Sequence, residues 1–590
     1  LCHRNFGSSL GMHFALLGKL ALIFWGCMSL SKNSRGYQED EVSPTKRFRS
    51  NVADLFLSGG VSGERGHSIL VDGQLAGAKN VADLAKPSHK KNCARDLLRR
   101  VSKNTRWPPM YWADVRTLKP KTGATVTVSL PFLLPHEIGH ALARDAADIA
   151  SLLSQESLGR DSIDHLSKSC QQMGCDPSCV LPIALWGDGV PFNWDRSESL
   201  DTWTMCLPGL GGKNENLRFP LIALPHKHVA KHSTMDDITA VLSWSFQCLT
   251  SGVFPACRHD GAPWAKTDAK RGKNGGCALG IRGLVVDIRG DWKFFKECFR
   301  LPQHNENSGI CWLCSATPTT WKDGGPDAAW RKERLSHWDV LTRIIEKGDP
   351  ESPIFSIPYL DTKCFKIDWL HVADQGISAN VLGSLLSVLI GKMPGASKDD
   401  RVASLFADIQ NFYKTTGCLS QLDGLTHTMI QKNTTSTPKL RGRGADIRAL
   451  VPYGLEAAKR LLDSADPLES TVMQMAVHLN ECYKLLSRAM FQHSALAENC
   501  QKFCLLALAM EETDPVIWGT KPKLHLFQEL CEESDYCPSL SWCYRDEDMG
   551  GSLARIAHRK GGPLSAKATA ETLLRKWCAR YPVPRIGEVE

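Results

Sequence analysis

After residue 30 the sequence has no apolar run long enough to span a bilayer, and it shows no internal repeat. These absences argue against a membrane protein and against a repeat architecture. The chain also lacks the dense cysteine spacing of small secreted scaffolds, because its 22 cysteines are scattered through 590 residues. We therefore expect a reducing compartment, with most thiols free and buried.

The composition is that of a soluble globular protein with about two to four domains. Apolar residues make up 43% of the chain and charged residues 23%. Phe14–Leu30 is largely apolar and is interrupted by Lys19, which is typical of a signal or membrane segment. It is short and poorly flanked, so we favour a gene-model or fragment artefact. Residues 31–65 are polar and are expected to be disordered.

The net charge of +8 is mild but unevenly distributed. Between Lys86 and Lys121 there are eleven Lys and Arg residues against two Asp, and Trp107, Tyr111 and Trp112 lie among them. Such a stretch suits DNA, although a solvated basic surface or a localisation signal remains an alternative. The candidate phosphate-binding residues are Lys90, Lys91, Arg95, Arg99, Arg100, Lys103 and Arg106.

The order of segments between residues 179 and 292 indicates the fold. The apolar run Val180–Trp186 predicts a buried strand, which Asp188 and Gly189 follow. Further strands are predicted at 202–207, 218–224 and 281–286, with an amphipathic helix at 235–249 before the last. Three strands, a helix and a fourth strand begin an α/β, ribonuclease-H-like core, in which the first and fourth strands are parallel neighbours. Asp188 would then lie close to Asp287 or Asp291.

Residues 325–515 are predicted to be a large helical insertion into this core. Asp466, Pro467 and Glu469 have the pattern of a helix start, and Val472, Met475, Leu479, Cys482 and Leu486 then recur at helical spacing, as core residues do. The predicted division is a leader at 1–66, an accessory basic region at 67–175, the first part of the core at 176–324, the insertion at 325–515, the end of the core at 516–570 and a tail at 571–590.

Three acids that converge from separate elements would suit Mg²⁺, which prefers carboxylate and water oxygens. Cleavage of phosphodiesters commonly uses two such cations. Asp188 and Asp291 are two candidates, and Glu547, at the predicted start of a final helix, is the third. Each acid alone reads as an ordinary surface carboxylate, so the hypothesis depends on their order and context.

Five short blocks, in order, resemble the transposases of the CACTA (En/Spm) type over about residues 180–555. The blocks are WGDGVPF at 186–192, GDWKFF at 290–295 followed by Cys311-x-x-Cys314, DWLHVADQGISANVLGSLLSVLIGK at 368–392, KPKLHLFQEL at 521–530 and EDMGGSLAR at 547–555. The resemblance implies DNA strand cleavage and transfer that depend on Mg²⁺ or Mn²⁺. It also favours Asp291 over Asp287 as the second acid.

The resemblance further implies a structural Zn²⁺ held by the Cys pair and a His pair. Two thiolates and two imidazoles do make a closed tetrahedral site. Here His525 is present, but Lys521 occupies the position of the earlier His, so the fourth ligand is missing or comes from elsewhere, such as His371. The Cys pair could also be chance. In the final block, Asp546 and Asp548 flank Glu547, which leaves open which acid points inward.

A rival motif is His136-Glu137-Ile-Gly-His140, a literal HExxH of the kind that binds zinc in metallopeptidases. Pro135 predicts that the helix begins there, and no downstream third ligand is evident. The alternative is a helix start whose His and Glu face solvent.

The sequence thus predicts a DDE-type transposase or a domesticated derivative, nuclear, homo-oligomeric and bound to double-stranded DNA, with no membrane association. The first alternative is a transposase-derived DNA-binding or structural protein without catalysis, and the second is a zinc metallopeptidase.

Overall fold

Two small sheets form the β structure of this mixed α/β protein, whose computed structural model describes residues 43–588 except 104, 194, 212–216, 434, 534 and 559–564. The apolar segment at 14–30 lies outside the described residues. The strands are β1 (Tyr111–Lys119), β2 (Ala124–Phe132), β3 (Val180–Pro191), β4 (Ser199–Cys206), β5 (Arg218–Pro225) and β6 (Arg282–Arg289). Strands β1 and β2 form an antiparallel hairpin, and the other four form a sheet in the order β5-β4-β3-β6.

The pairing of β3 with β6 is parallel, as the sequence predicted, whereas β3–β4 and β4–β5 are antiparallel. Strand β3 runs to Pro191, so Asp188 lies within it rather than at its tip. The ladder to β6 nevertheless ends at Trp186, and Asp188 is paired only with Thr202 of β4. At Asp188, therefore, the backbone of β3 pairs with β4 on one side and no longer pairs with β6 on the other.

Helices make up most of the rest of the described chain. They are α1 (Pro44–Leu57), α2 (Gly63–Leu75), α3 (Cys93–Val101), α4 (Pro135–Asp145), α5 (Ile149–Leu152), α6 (Arg160–Met173), α7 (Lys231–Ser251), α8 (Ala269–Asn274), α9 (Trp292–Phe299), α10 (Ala329–Lys332), α11 (His337–Glu346), α12 (Ala379–Lys392), α13 (Lys398–Thr416), α14 (His427–Ile430), α15 (Gly444–Leu461), α16 (Pro467–Lys484), α17 (His493–Thr513), α18 (Pro515–Trp518), α19 (Lys523–Gln528), α20 (Tyr544–Ala557) and α21 (Ala566–Arg580). Two π-helices, Leu370–Ser378 and Glu529–Glu533, precede α12 and follow α19.

The described chain divides into two compact units. One consists of residues 378–480 and 509–520 and is entirely helical in its regular structure. The other consists of residues 43–377, 481–508 and 521–588 and contains both sheets. The separate helical unit is thus shorter than the predicted insertion at 325–515.

Several local predictions are confirmed. Helix α16 begins at Pro467, and Asp466 Oδ1 accepts the backbone N–H groups of Leu468 and Glu469 at 2.9 Å each. The residues that recur along it are buried, so they are core residues. Every described cysteine is a free thiol, and most are buried.

The expectation of disorder is wrong for residues 43–65, and residues 31–42 lie outside the described chain. Residues 43–65 belong to α1 and the start of α2, which pack with α3 around a small core, because the polar stretch contains buried Val52, Phe56 and Leu57. At the other end, the predicted tail boundary at 571 falls inside α21. That helix buries Leu573, Leu574 and Trp577 and packs against β2 and β5.

The sequence was expected to contain no bilayer-length apolar run after residue 30, but one helical segment meets that test. Leu370–Lys392 has the length and mean hydropathy of a membrane span, at 1.2 over its most apolar window. However, 72% of that window is buried inside the protein, which is what a core helix shows. Its apolar character is therefore explained by packing.

A buried network of ion pairs joins the sheet to α20. Arg218 of β5 donates from Nε to Asp546 Oδ1 of α20 at 2.7 Å, and Arg289 of β6 donates to Asp287 at 2.7 Å. Arg289 also lies 3.8 Å from Asp546, and Lys366 pairs with Asp287 at 3.7 Å. Because every member is nearly inaccessible, losing one partner would strand an uncompensated charge.

We expect Asp546→Asn to destabilise the protein by about 3–5 kcal/mol, since Arg218 would stay buried without its carboxylate. Urea unfolding followed by circular dichroism measures the change. Asp548→Asn is the matched control, because Asp548 lies on the same helix with a side chain that is 39% exposed, and its effect should stay within about 0.5 kcal/mol. Equal effects of the two substitutions would contradict this role for Asp546.

Candidate metal centres

Asp188 projects from β3 beyond the last residue that pairs with β6. Its Oδ1 accepts the Gly189 N–H at 2.6 Å, and its side chain is half-buried. Asp291 follows β6 and caps α9, where its Oδ1 accepts the Phe294 N–H at 2.6 Å. Gly187 of β3 lets the Phe294 ring of α9 pack closely, because a Cβ at this position would lie 2.1 Å from that ring.

Glu547 lies in the first turn of α20, which packs directly on β3. Gly550, one turn later, permits the close contact: a Cβ there would lie 2.7 Å from Val190 and 2.8 Å from Trp186. Trp186 and Val190 form a core cluster with Cys543 and Ala554 around this contact. The packing of a glycine-containing helix against β3 thus brings Glu547 to Asp188.

His371, in the first turn of the π-helix Leu370–Ser378, completes the group. One ligand atom each from Asp188, His371 and Glu547 lie within 4.8 Å of one another, and His371 Nε2 is 3.8 Å from Glu547 Oε1. Asp368 holds the other ring nitrogen, with Oδ2 2.5 Å from Nδ1. We call Asp188, His371 and Glu547 the acidic centre.

The same π-helix is tied to α20 by a buried carboxylate. Asp374 accepts a hydrogen bond from the Tyr483 hydroxyl at 2.5 Å and another from the Tyr544 hydroxyl at 2.6 Å. Tyr544 is the first residue of α20, three residues before Glu547. These bonds fix the segment that carries His371 relative to the helix that carries Glu547.

The electrostatics of the acidic centre are those of crowded carboxylates. Burial, followed by the charge of Asp291, raises the pKa of Asp188, and burial followed by the charge of Asp188 raises the pKa of Glu547 well above its ordinary value. Burial alone would lower the pKa of His371, but the hydrogen bond and charge of Asp368, with those of Glu547 and Asp188, raise it to about 10. All three groups of the acidic centre therefore hold their protons more tightly than usual.

The sequence identified two members of this centre, Asp188 and Glu547, but not His371 in this role. Asp291 lies near enough to influence Asp188, yet it is outside the group within 4.8 Å. Asp287, the competing acid, is buried in the ion-pair network. Burial would raise its pKa, but Arg289 and Lys366 hold it below the ordinary value. Asp546 is likewise in the network, so Glu547 is the acid of its block that faces Asp188.

A second centre, the cysteine cluster, consists of Cys311, Cys314, His525 and Glu529, all fully buried. Cys314 Sγ is 3.3 Å from His525 Nε2, Cys311 Sγ is 3.8 Å from Glu529 Oε1, and His525 Nε2 is 3.6 Å from the same oxygen. The Leu313 N–H donates to Cys311 Sγ at 3.3 Å, which fixes the turn between the two thiols. Four potential ligands thus face one point.

Glu529 takes the place that was expected for a second His. Neither Lys521 nor His371 belongs to the cluster: the fourth candidate ligand lies four residues after His525, not four before it. The helical spacing of His525 and Glu529 could have revealed it. Arg334 donates to both Glu529 oxygens, at 2.9 and 2.8 Å, and so compensates its buried charge.

Protonation in the cysteine cluster favours a neutral imidazole. Burial, with the charges of Arg334 and Arg331, lowers the pKa of His525 to about 3. The hydrogen bond with Cys311, together with burial, raises the pKa of the Cys314 thiol. A neutral imidazole is the form that binds metal, and two adjacent thiols in a dry site ionise readily only beside a cation.

The HExxH residues have other partners. Helix α4 begins at Pro135 as predicted, but His136 and Glu137 are buried, not solvent-facing. His136 Nδ1 is 2.7 Å from Ser245 Oγ, and Glu137 pairs with Arg271 at 2.7 Å. These contacts stabilise the start of a core helix. In the described chain, no residue of this motif belongs to the acidic centre or to the cysteine cluster.

The basic stretch is partly a surface and partly core. All of the candidate phosphate-binding residues are exposed except Arg100, which is half-buried and donates to the carbonyls of Leu84, Lys86 and Pro87. Trp107 and Tyr111 are buried, so the interleaved aromatics expected beside DNA are largely core residues.

Compared with protein-family models and with curated proteins, the chain matches none of them.

Proposed function

We propose that the protein is a metal-dependent DNA-cleaving enzyme of the DDE transposase type, or a domesticated derivative of one. The observation that carries this proposal is the acidic centre, in which carboxylates from β3 and α20 meet beside Asp291. Acids brought together from distant segments, with pKa values raised by burial and mutual repulsion, are characteristic of functional sites.

The sheet supports a ribonuclease-H-like core. Its order β5-β4-β3-β6, with the first and last strands of the segment paired in parallel, is the arrangement expected from the element order. Asp188 on the first of these strands, Asp291 after the fourth and Glu547 on a later helix have the placement that such a core gives to its acids. The blocks that resemble CACTA transposases supply the same three residues.

The acidic centre fits divalent cations. Its donors are carboxylate oxygens and one imidazole nitrogen, and Glu547 Oε1 is buried without a hydrogen-bond partner in the part of the chain that the structure describes. Asp188 and Glu547, with Asp291 beside them, would hold Mg²⁺ or Mn²⁺. When bound, such cations supply positive charge for the attacking and leaving oxygens of a phosphodiester.

The chain itself contributes position and charge. Asp368 and Asp374 fix His371 and the start of α20, so that the carboxylates are held before substrate arrives. Exposed residues of the basic stretch would hold DNA phosphates. Arg100 would stabilise the backbone of that surface through its hydrogen bonds to the carbonyls of residues 84, 86 and 87. Nuclear localisation and assembly of several copies on paired DNA ends belong to the same proposal.

We also propose that the cysteine cluster holds a structural Zn²⁺. Two thiolates, one imidazole and one carboxylate form a closed four-ligand set. With Zn²⁺ bound, the ligand charges leave one net negative charge, which Arg334 neutralises at Glu529. Full burial suits a structural rather than a catalytic metal, because no position is open to substrate.

Two observations favour the active enzyme over an inactive DNA-binding derivative. Glu529 could serve as the ligand that Lys521 does not provide, and Asp188 and Glu547 lie together in the acidic centre. The peptidase alternative lacks a site, since Glu137 is paired with Arg271.

Catalysis is tested by nicking of supercoiled DNA in the presence of Mg²⁺ or Mn²⁺. We expect Asp188→Asn and Glu547→Gln each to lower the rate by about a hundredfold or more, because each removes a carboxylate that would hold a cation beside the reacting phosphate. Asp195→Asn is the control, since Asp195 is an exposed acid between β3 and β4 and should leave the rate unchanged. Nicking by Asp188→Asn at the normal rate would dismiss the site, and no nicking by the wild type would favour the inactive derivative.

Zinc is tested by elemental analysis and thermal unfolding. We expect about one Zn²⁺ per chain and a lower Tm after chelation, because metal binding stabilises the folded state. Cys314→Ser should lose the zinc, and Cys179→Ser, which alters an exposed thiol, should keep it. Zinc retained by Cys314→Ser would rule out this cluster.

A further inference from the structure

The environment of His371 is that of a metal ligand rather than of a surface histidine. Its Nδ1 atom is committed to Asp368 at 2.5 Å, and Asp368 is in turn fixed because its Oδ1 accepts the Cys543 N–H at 2.8 Å. The Nε2 atom is therefore the ring nitrogen that remains for a ligand. It faces Glu547, at 3.8 Å from Oε1.

Metal-binding histidines usually donate their second ring N–H to a carboxylate, which sets the tautomer and the orientation of the ring. Asp368 does this for His371, whose side chain is only 13% exposed. On the far side, Oε1 of Glu547 is buried and has no hydrogen-bond partner among the described residues. One ion could contact Asp188, His371 and Glu547 together, because their ligand atoms lie within 4.8 Å of one another.

We infer that His371 is a direct ligand of a divalent cation in the acidic centre, which is then a mixed site of imidazole nitrogen and carboxylate oxygens. The inference rests on the proposed function, which makes this centre a metal site. Mg²⁺ and Ca²⁺ take oxygen ligands, whereas first-row transition metals also accept imidazole, and among these metals Mn²⁺ suits the two carboxylates as well. The site therefore selects Mn²⁺ over Mg²⁺. Asp291, which caps α9, lies outside this ligand group.

The inference is tested by adding Mn²⁺ to the full-length protein and recording pulsed electron paramagnetic resonance. We expect a coupling to a directly bound histidine nitrogen, which changes to that of ¹⁵N when the protein is labelled with ¹⁵N-histidine. His371→Ala should remove the coupling and weaken Mn²⁺ binding at least about tenfold, with little change for Mg²⁺. His89→Asn, which alters an exposed histidine, should keep the coupling.

Cys314→Ser separates the two centres, because a coupling that came from His525 in the cysteine cluster would be lost with it. The spectra of the labelled wild type and of Cys314→Ser keep the inference testable even if His371→Ala does not fold. Mn²⁺ bound with oxygen ligands only would overturn the inference and leave the proposed function standing. A nitrogen coupling that survives His371→Ala would also overturn it. Absence of any divalent-cation binding by the wild type would overturn both.

Discussion

The close approach of Asp188 and Glu547 is the constraint on which the arrangement of the acidic centre depends. Two partly desolvated carboxylates at close range raise the free energy of the folded state unless they share a proton or a positive charge lies beside them. Asp546 and Glu547, which are adjacent on α20, have opposite electrostatic surroundings. Asp546 is neutralised by Arg218 and Arg289, whereas Glu547 faces Asp188 and has the imidazole of His371 3.8 Å away. The ion pairs of Asp546 fix the first turn of α20 against the sheet. They therefore keep the Glu547 carboxyl group close to Asp188 despite the electrostatic cost.

The two centres are mechanically connected through α19 and the first π-helix. Lys523 of α19 donates from Nζ to the His371 carbonyl at 2.8 Å, and the rings of Trp369 and Phe527 lie 5.4 Å apart. His525 of the cysteine cluster is two residues from Lys523 on the same short helix. A metal that fixes His525 therefore also fixes the backbone that carries His371. Both π-helices adjoin these ligands, and π-turns are frequent at functional sites.

Local patterns in the sequence were enough to predict the four strands of the larger sheet and two of the site residues, whereas β1 was not predicted. The apolar run before Asp188 and the order of the strands determine which ends meet, because parallel neighbours place their carboxyl ends together. The role of His371 was not accessible in this way, since it depends on Asp368 and on the contact of a distant helix. The burial of His136 and Glu137 in the HExxH motif was not predictable for the same reason: Ser245 and Arg271, which contact them, are far away in the chain. Trp107 was misassigned because a local charge count does not reveal that its ring packs against Phe219 and Trp577.

The cysteine cluster and the acidic centre differ in ligand type, accessibility and charge, and these differences suit the roles proposed for them. The cysteine cluster has soft ligands, no accessible surface and a charge that Arg334 closes, so nothing there is left to bind a substrate. The acidic centre has harder ligands, side chains that are partly open to solvent and a negative charge that His371 only partly balances. Under the proposed function, an ion in the acidic centre would act on the phosphate of bound DNA. Accessibility and uncompensated charge, more than the identity of any one acid, make the acidic centre the place where chemistry on a phosphodiester is expected.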